Sequence, residues 1–404
     1  MKKALGLSLA LLASPTFAQA GVAPEYQARI DRILAETPLI DGHNDLAEQI
    51  TENYGGDPSK VDLMKDTRGL SHPLHTDIPR LREGRVGGQF WSVYVPADLE
   101  GAVSGEAVRV QMDIVRRFVA DYPAVFEFAD SADDIERIHK SGRIASMFGM
   151  EGGEAINGKL GVLREFRNSG VLYMTLCHWK TTSWVDSATD APQHGGLSPL
   201  GEQIVAEMNR IGMLVDLSHT SALSMKDALR VSKAPVIFSH SSAMAIDGHP
   251  RNVPDDVLKL VRKNGGVVMV NFAPAFVSEE LRQWSANKDA EEARQKALSL
   301  GDPAAAKAGL EAWVASNPAP QATLAQVADH IEHIRNVAGV DHVGIGSDFD
   351  GIPNGPAGLE GVETYPALFA ELMRRGWSDA DIAKLAGGNL LRALRQAEKV
   401  AANR

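Results

Sequence analysis

Pro38-Leu-Ile-Asp-Gly-His-Asn-Asp45 opens on a short apolar run that reads as a buried strand and closes on His43-x-Asp45. In an extended or just-curling backbone, residues i and i+2 project to the same side. An imidazole and a carboxylate so placed can hold one metal ion between them. Taken alone, the pattern is also that of a polar turn after a strand. It gains weight by recurring along the chain. Residues 86–95 read as a second strand, broken early by Gly87 and Gly88. Residues 143–150 stop at Glu151-Gly-Gly, 171–177 end at His178, 213–218 at His219 and 235–239 at His240. A seventh run covers 266–272, and an eighth, 342–347, ends at Asp348.

Helical periodicity separates most of these runs, at 106–121, 131–141, 161–169, 199–211, 221–231, 253–263 and 323–337, with Ser131 and Thr323 as N-caps. A final helical stretch covers 378–400. Near-continuous apolar strands alternating with helices predict a parallel sheet buried on both faces. Eight such units predict a single-domain (β/α)8 barrel of the TIM type, whose functional groups lie at the C-terminal ends of the strands. An open doubly wound sheet would not gather six strand ends around one point. Residues 278–321 depart from the rhythm: they are rich in Ala, Glu and Lys, with Gly301-Asp-Pro303 between two helix-like halves. They read as a helical hairpin inserted after the seventh strand. The hairpin is either a lid or mouth wall of the site or a solvated excursion.

The chain has 404 residues, 44% hydrophobic and 23% charged, as in a globular protein with ample core. A net charge of -11 disfavours nucleic acid and anionic membrane surfaces as partners. Lys2 and Lys3, the apolar residues 5–13 and Ala18-Gln19-Ala20 form the three regions of an export signal, cleaved after Ala20. The expectation is a mature domain over 21–404, periplasmic, with no membrane span. The lone Cys177 cannot form an internal disulfide and reads as a small buried apolar residue.

The strand ends collect His43, Asp45, Glu151, His219 and His240 as metal-binding types, together with His178 and Asp348. There is no His-Glu-x-x-His helix and no Gly-x-Ser-x-Gly elbow. Nitrogen and oxygen donors without thiolate suit Zn²⁺, with Mn²⁺ or Co²⁺ as alternatives. Five ligands exceed the three that a single open catalytic zinc usually takes. A bridging carboxylate accounts for the surplus, with Glu151 the natural bridge, and two ions would share a hydroxide and polarise the scissile carbonyl. In Ser347-Asp-Phe-Asp-Gly351, chemistry is assigned to Asp348 and turn-making to Asp350. His72, His75, His139, His194, His249, His330, His333 and His342 are left without a role.

Several segments carry a family resemblance: Leu39-Ile-Asp-Gly-His-Asn-Asp-Leu46, Val86-Gly-Gly-Gln-Phe-Trp-Ser-Val-Tyr94, Glu151-Gly-Gly153, Asp216-Leu-Ser-His219, Pro235-Val-Ile-Phe-Ser-His-Ser-Ser242, Arg251-Asn-Val-Pro-Asp-Asp256 and Gly346-Ser-Asp-Phe-Asp-Gly351. Spread over nearly all of the mature chain, they make it resemble the membrane dipeptidase (renal dipeptidase) family of zinc peptidases. The resemblance implies a (β/α)8 barrel with two zinc ions per chain that hydrolyses dipeptides and tolerates a C-terminal D-residue. His43 and Asp45 then hold one zinc, His219 and His240 the other, and Glu151 bridges them. His178 contacts substrate near the scissile carbonyl, Arg251 receives the substrate carboxylate, and Asp348 shuttles the proton. Family members are often homodimers, and some open β-lactam rings. The 278–321 insertion is longer than in mammalian members, and Ala273-Pro274 stands where they place an aromatic residue. A related metal amidohydrolase acting on N-acyl amino acids or β-lactams is the alternative. A metal-retaining binding protein without turnover is opposed by the full set of reactive groups.

Overall fold

The structure, a computed structural model, describes residues 22–99 and 101–403. The proposed export signal, residues 1–20, lies outside the described residues. Among the described residues nine strands form in chain order: β1 (Leu39–Asn44), β2 (Val86–Tyr94), β3 (Phe126–Phe128), β4 (Ile144–Glu151), β5 (Val171–Thr175), β6 (Leu214–Asp216), β7 (Ile237–Phe238), β8 (Val267–Val270) and β9 (Val343–Ile345). All pair in parallel, in the order β2-β1-β9-β8-β7-β6-β5-β4-β3. A further pairing from Gly88↔Ala145 to Tyr94↔Glu151 joins β2 to β4 and closes the sheet. β1, β2 and β4 to β9 are therefore a closed eight-stranded parallel barrel, and each falls on one of the eight apolar runs, β4 reaching one residue further to include Glu151. β3 adds a short edge beside the start of β4.

The reason is in the burial. Every residue of β1, β4, β5, β6, β8 and β9 is buried, because the barrel interior covers one face and the surrounding helices the other. Ile40, Phe90, Met147, Tyr173, Leu214, Ile237 and Met269 meet in one apolar cluster. Residues such as Phe148, Val215 and Val268 belong instead to the larger cluster that includes the helices. Helices Pro199–Ile211, Ala222–Val231, Asp255–Asn264 and Leu324–Ala338 connect successive strands from β5 to β9. Ser131 caps its helix by accepting from Asp134 N–H, and Thr323 forms a capping box with Gln326.

Gly87 and Gly88 do not break β2, contrary to the reading of the sequence. A Cβ on Gly87 would lie 2.7 Å from His139 Nδ1 and 2.8 Å from Pro38 Cβ, so the glycine serves close approach within a continuous strand. The C-terminal helix also differs. It is split into Asp379–Ala383, a π-turn over Lys384–Gly388 and Asn389–Ala402. A Cβ on Gly387 would stand 2.3 Å from the Pro38 carbonyl oxygen, which places the turn against the entry to β1. After β8 come helices Glu279–Leu298 and Pro303–Ser316, joined through the Trp284–Trp313 ring pair at 6.0 Å. At the base of this pair, Glu279 accepts from Gly248 N–H (3.0 Å), three residues before Arg251.

Candidate active site

The C-terminal rim of the barrel gathers residues far apart in sequence. His43 lies within β1, Asp45 follows it, and Glu151 ends β4. His178, His219 and His240 stand two or three residues beyond β5, β6 and β7, and Asp348 three beyond β9. Both His219 and Asp348 have φ of 67°, in the left-handed region that non-glycine residues seldom occupy, and the strain falls where the side chains are aimed inward.

Glu151 is the hub. Its Oε2 lies 3.3 Å from His43 Nε2, and its Oε1 lies 3.0 Å from His219 Nε2, 3.4 Å from His240 Nε2 and 3.7 Å from His178 Nε2. Asp45 Oδ2 is 3.4 Å from His43 Nε2. Three donor sets, His43–Glu151–His240, Glu151–His178–His219 and His43–Asp45–Asp348, each bring their ligand atoms within 4.8 Å of one another. None of the eight histidines left without a role joins them. Asp350, with φ of 66°, lies in a turn and accepts from His75 N–H at 2.7 Å.

The donor chemistry fits metal. Tyr173 Oη donates its one proton to the Gly42 carbonyl (3.0 Å), so at 2.8 Å from His43 Nδ1 it accepts from that nitrogen. In the neutral ring the His43 proton is thereby held on Nδ1, and Nε2 is the nitrogen turned toward the carboxylates, with no hydrogen bond of its own. Burial holds the His219 and His240 imidazoles well below their usual range, with Arg251 adding to it at His219 and His43 at His240. Both are neutral near pH 7, the form that binds metal. Burial lowers His43 too, but Tyr173, Asp45 and Glu151 outweigh it and raise it well above the ordinary value. The carboxylates that draw a proton to Nε2 draw a metal ion by the same field. Burial opposes ionisation of Glu151, yet His43, His178, His219 and His240 together hold its carboxyl well below the usual range. Glu48, one turn beyond Asp45, is pushed up to about 9 by burial and by Asp45, Glu151, Glu52 and Asp348, so the mouth is crowded with carboxyl groups.

Around this cluster, Asp348 Oδ2 accepts from Asn271 Nδ2 at 2.9 Å, and burial and the Asp45 charge push its carboxyl well above the usual range. Arg251 is 1% exposed and pairs with no carboxylate among the described residues. Its contacts are long ones, to Ser241 Oγ (3.4 Å) and the His240 carbonyl (3.3 Å), with Phe276 5.5 Å from its guanidinium carbon. Trp179, 42% exposed, stands at the rim with its ring 5.1 Å from that of His219.

Five supporting residues received no role from the sequence: Tyr173 behind His43, Ser239 and Asp216 behind His240, Asn271 on Asp348, and Ser92, which donates to Glu151 Oε2 (3.3 Å). The signal that finds them is a polar or hydroxyl-bearing side chain inside an otherwise apolar run, where burial demands a partner.

A closed parallel barrel with a buried imidazole–carboxylate cluster at its C-terminal rim has the makings of a metal-dependent enzyme. Comparison with known proteins narrows the class. The family model described as membrane dipeptidase (peptidase family M19) matches residues 27–404, and the chain belongs to that family. It is 42% identical over 372 residues to dipeptidase tcpJ of Claviceps purpurea, covering 90% of this chain and 78% of the relative. To dipeptidase aclJ of Aspergillus oryzae it is 39% identical over 385 residues, covering 93% and 82%. Among solved structures, the probable dipeptidase PvdM of Pseudomonas aeruginosa superposes with a TM-score of 0.77 at 27% identity, over 94% of this chain and 100% of that one. The chain is a metallopeptidase.

Proposed function

We propose that the protein is a zinc-dependent dipeptidase with two zinc ions per chain, exported by its N-terminal signal and tolerant of a D-residue at the substrate's C-terminal position. His43 and Asp45 would hold one ion, His219 and His240 the other, with Glu151 shared between them. Bound there, the pair of ions supplies an activated water and polarises the scissile carbonyl.

The observation that carries the substrate class is Arg251. A buried guanidinium with five donors, an Nε without a partner and no carboxylate paired to it is a receptor for an anion. Placed beside the cluster, it suits the free carboxylate of a dipeptide's second residue, and so limits substrate length. Burial lowers its pKa to about 10, which leaves it charged at neutral pH. His178, with burial bringing it down to about 4, is neutral at pH 7 and can direct a ring nitrogen to the carbonyl oxygen. Asp348 accepts a proton as the nucleophile forms and returns it to the departing amine. The curated relatives named dipeptidases support this reading.

Hydrolysis of an L-Xaa-D-Xaa panel, matched L,L-dipeptides, a tripeptide and N-acyl amino acids by metal-quantified protein tests it. Turnover of both dipeptide series, none of the tripeptide and about two metals per chain is the expected outcome. Full metal content with turnover confined to N-acyl amino acids or β-lactams would keep the site and discard the substrate. Arg251→Ala removes a charge-assisted contact of about 1.5–3 kcal/mol, so KM for dipeptides rises about 10- to 100-fold while kcat changes little. An unchanged KM would send the search to another carboxylate receptor.

A further inference from the structure

Behind His240 runs a chain of hydrogen bonds whose direction is fixed at its far end. Asp216, the last residue of β6, is fully buried. Its Oδ1 accepts from Ser239 N–H (2.8 Å) and Ser218 N–H (3.1 Å). Its Oδ2 accepts from Ser239 Oγ (2.6 Å) and Thr175 Oγ1 (2.5 Å). A carboxylate gives no proton, and a serine hydroxyl has only one. Since Ser239 spends its proton on Asp216, it can only accept at its 2.8 Å contact with His240 Nδ1. That contact therefore fixes the His240 proton on Nδ1 and leaves Nε2 bare, where it faces His219 Nε2 (2.9 Å) and Glu151 Oε1 (3.4 Å).

We propose that Asp216 is a positioning residue that sets the His240 tautomer through Ser239 and so makes that nitrogen able to bind metal. The inference rests on the reading of His240 as a ligand. It predicts a polarity effect that shape alone would not produce. In Asp216→Asn the side-chain oxygen must stay at Oδ1, because two backbone N–H groups point there. The amide NH2 then occupies the Oδ2 position and donates to Ser239. Of the acceptors then left to the Ser239 hydroxyl, His240 Nδ1 at 2.8 Å is nearer than Ser218 Oγ at 3.4 Å, so its proton turns to Nδ1 and the imidazole proton moves to Nε2, into the metal cluster. His43 has no equivalent carboxylate, since its relay through Tyr173 ends on the Gly42 carbonyl.

The test uses the full chain, with Zn²⁺ affinity read by chelator competition and the His240 tautomer by ¹⁵N shifts of histidine-labelled protein. Asp216→Asn should weaken the affinity of one zinc about 10- to 100-fold and move the His240 proton to Nε2. Ser239→Ala, which cuts the link and leaves the other bonds of Asp216 in place, should weaken the same zinc and release the tautomer preference. Thr175→Val removes a hydrogen bond from the same carboxylate without touching the relay, and should leave the tautomer and the affinity as they are. Loss of affinity in Thr175→Val equal to that in Asp216→Asn would overturn the proposal in favour of a merely structural carboxylate. Retention of the Nδ1 proton and full affinity in Ser239→Ala would overturn it even if Asp216→Asn fails to fold. Wild-type protein that takes up no zinc would overturn the ligand reading itself, and the relay with it.

Discussion

Glu151→Gln should abolish turnover and strip the site of metal. The substitution keeps the shape of the side chain and removes its charge, at a point where four imidazole nitrogens lie within 3.7 Å of the carboxylate. A neutral amide has one good acceptor where the carboxylate has two. Its NH2 would meet either His43 Nε2 or the His219–His240 pair as a donor, in the place of a cation. A metal ion acting as Lewis acid is worth several kcal/mol of transition-state stabilisation, and each 1.4 kcal/mol is tenfold in rate. The kcat/KM should therefore fall by about 10³-fold or more, with bound metal below the wild-type stoichiometry. Since a ligand that binds only the folded state stabilises it, the rise in Tm on adding Zn²⁺ should shrink in the same variant. Elemental analysis beside kcat/KM decides the matter. Full metal content with activity within tenfold of wild type would remove Glu151 from the bridging position.

The parts of this site that the sequence revealed, and those that it did not, divide along a physical line. Strands of a parallel barrel are buried on both faces, so each of the eight appears as an apolar run, and a His, Glu or Asp ending such a run stands out. Glu151, His178, His219, His240 and Asp348 were legible for that reason. Their supports were not, because the contacts are made across strands by register. Asp216 reaches Thr175 and Ser239 only because β6 pairs Thr175↔Asp216 on one side and Asp216↔Ile237 on the other. Tyr173 reaches His43, 130 residues away, across a barrel interior in which a Cβ on Gly149 would come within 2.1 Å of its ring. Boundaries suffered likewise. β7 is only Ile237–Phe238, although the apolar run is longer, because the chain turns into the site as soon as the pairing ends. The π-turn at Lys384–Gly388 answers to Pro38, far away in sequence, and local periodicity carries no trace of it.

Asp348→Asn separates proton transfer from metal binding, and the two make opposite predictions. Asp348 sits with φ of 67° on the turn after β9, its Oδ2 held by Asn271 at 2.9 Å, within reach of His43 and Asp45. Burial and the neighbouring Asp45 charge make its carboxyl readier to take a proton than an exposed aspartate. That is the property a general base needs if it must later act as an acid. Asparagine keeps the size and can keep the contact with Asn271, but it neither takes up nor releases a proton. If Asp348 carries the proton, kcat should fall by about 10²- to 10⁴-fold, with KM little changed and metal content intact. The pH profile of kcat should lose the limb that its carboxyl supplies. If Asp348 is instead a third ligand beside His43 and Asp45, the same substitution should release metal, and added Zn²⁺ should restore part of the rate. An unchanged kcat with full metal would leave the carboxylate without either role and place the proton acceptor elsewhere at the rim, where Glu48 is the next carboxyl shifted in the same direction.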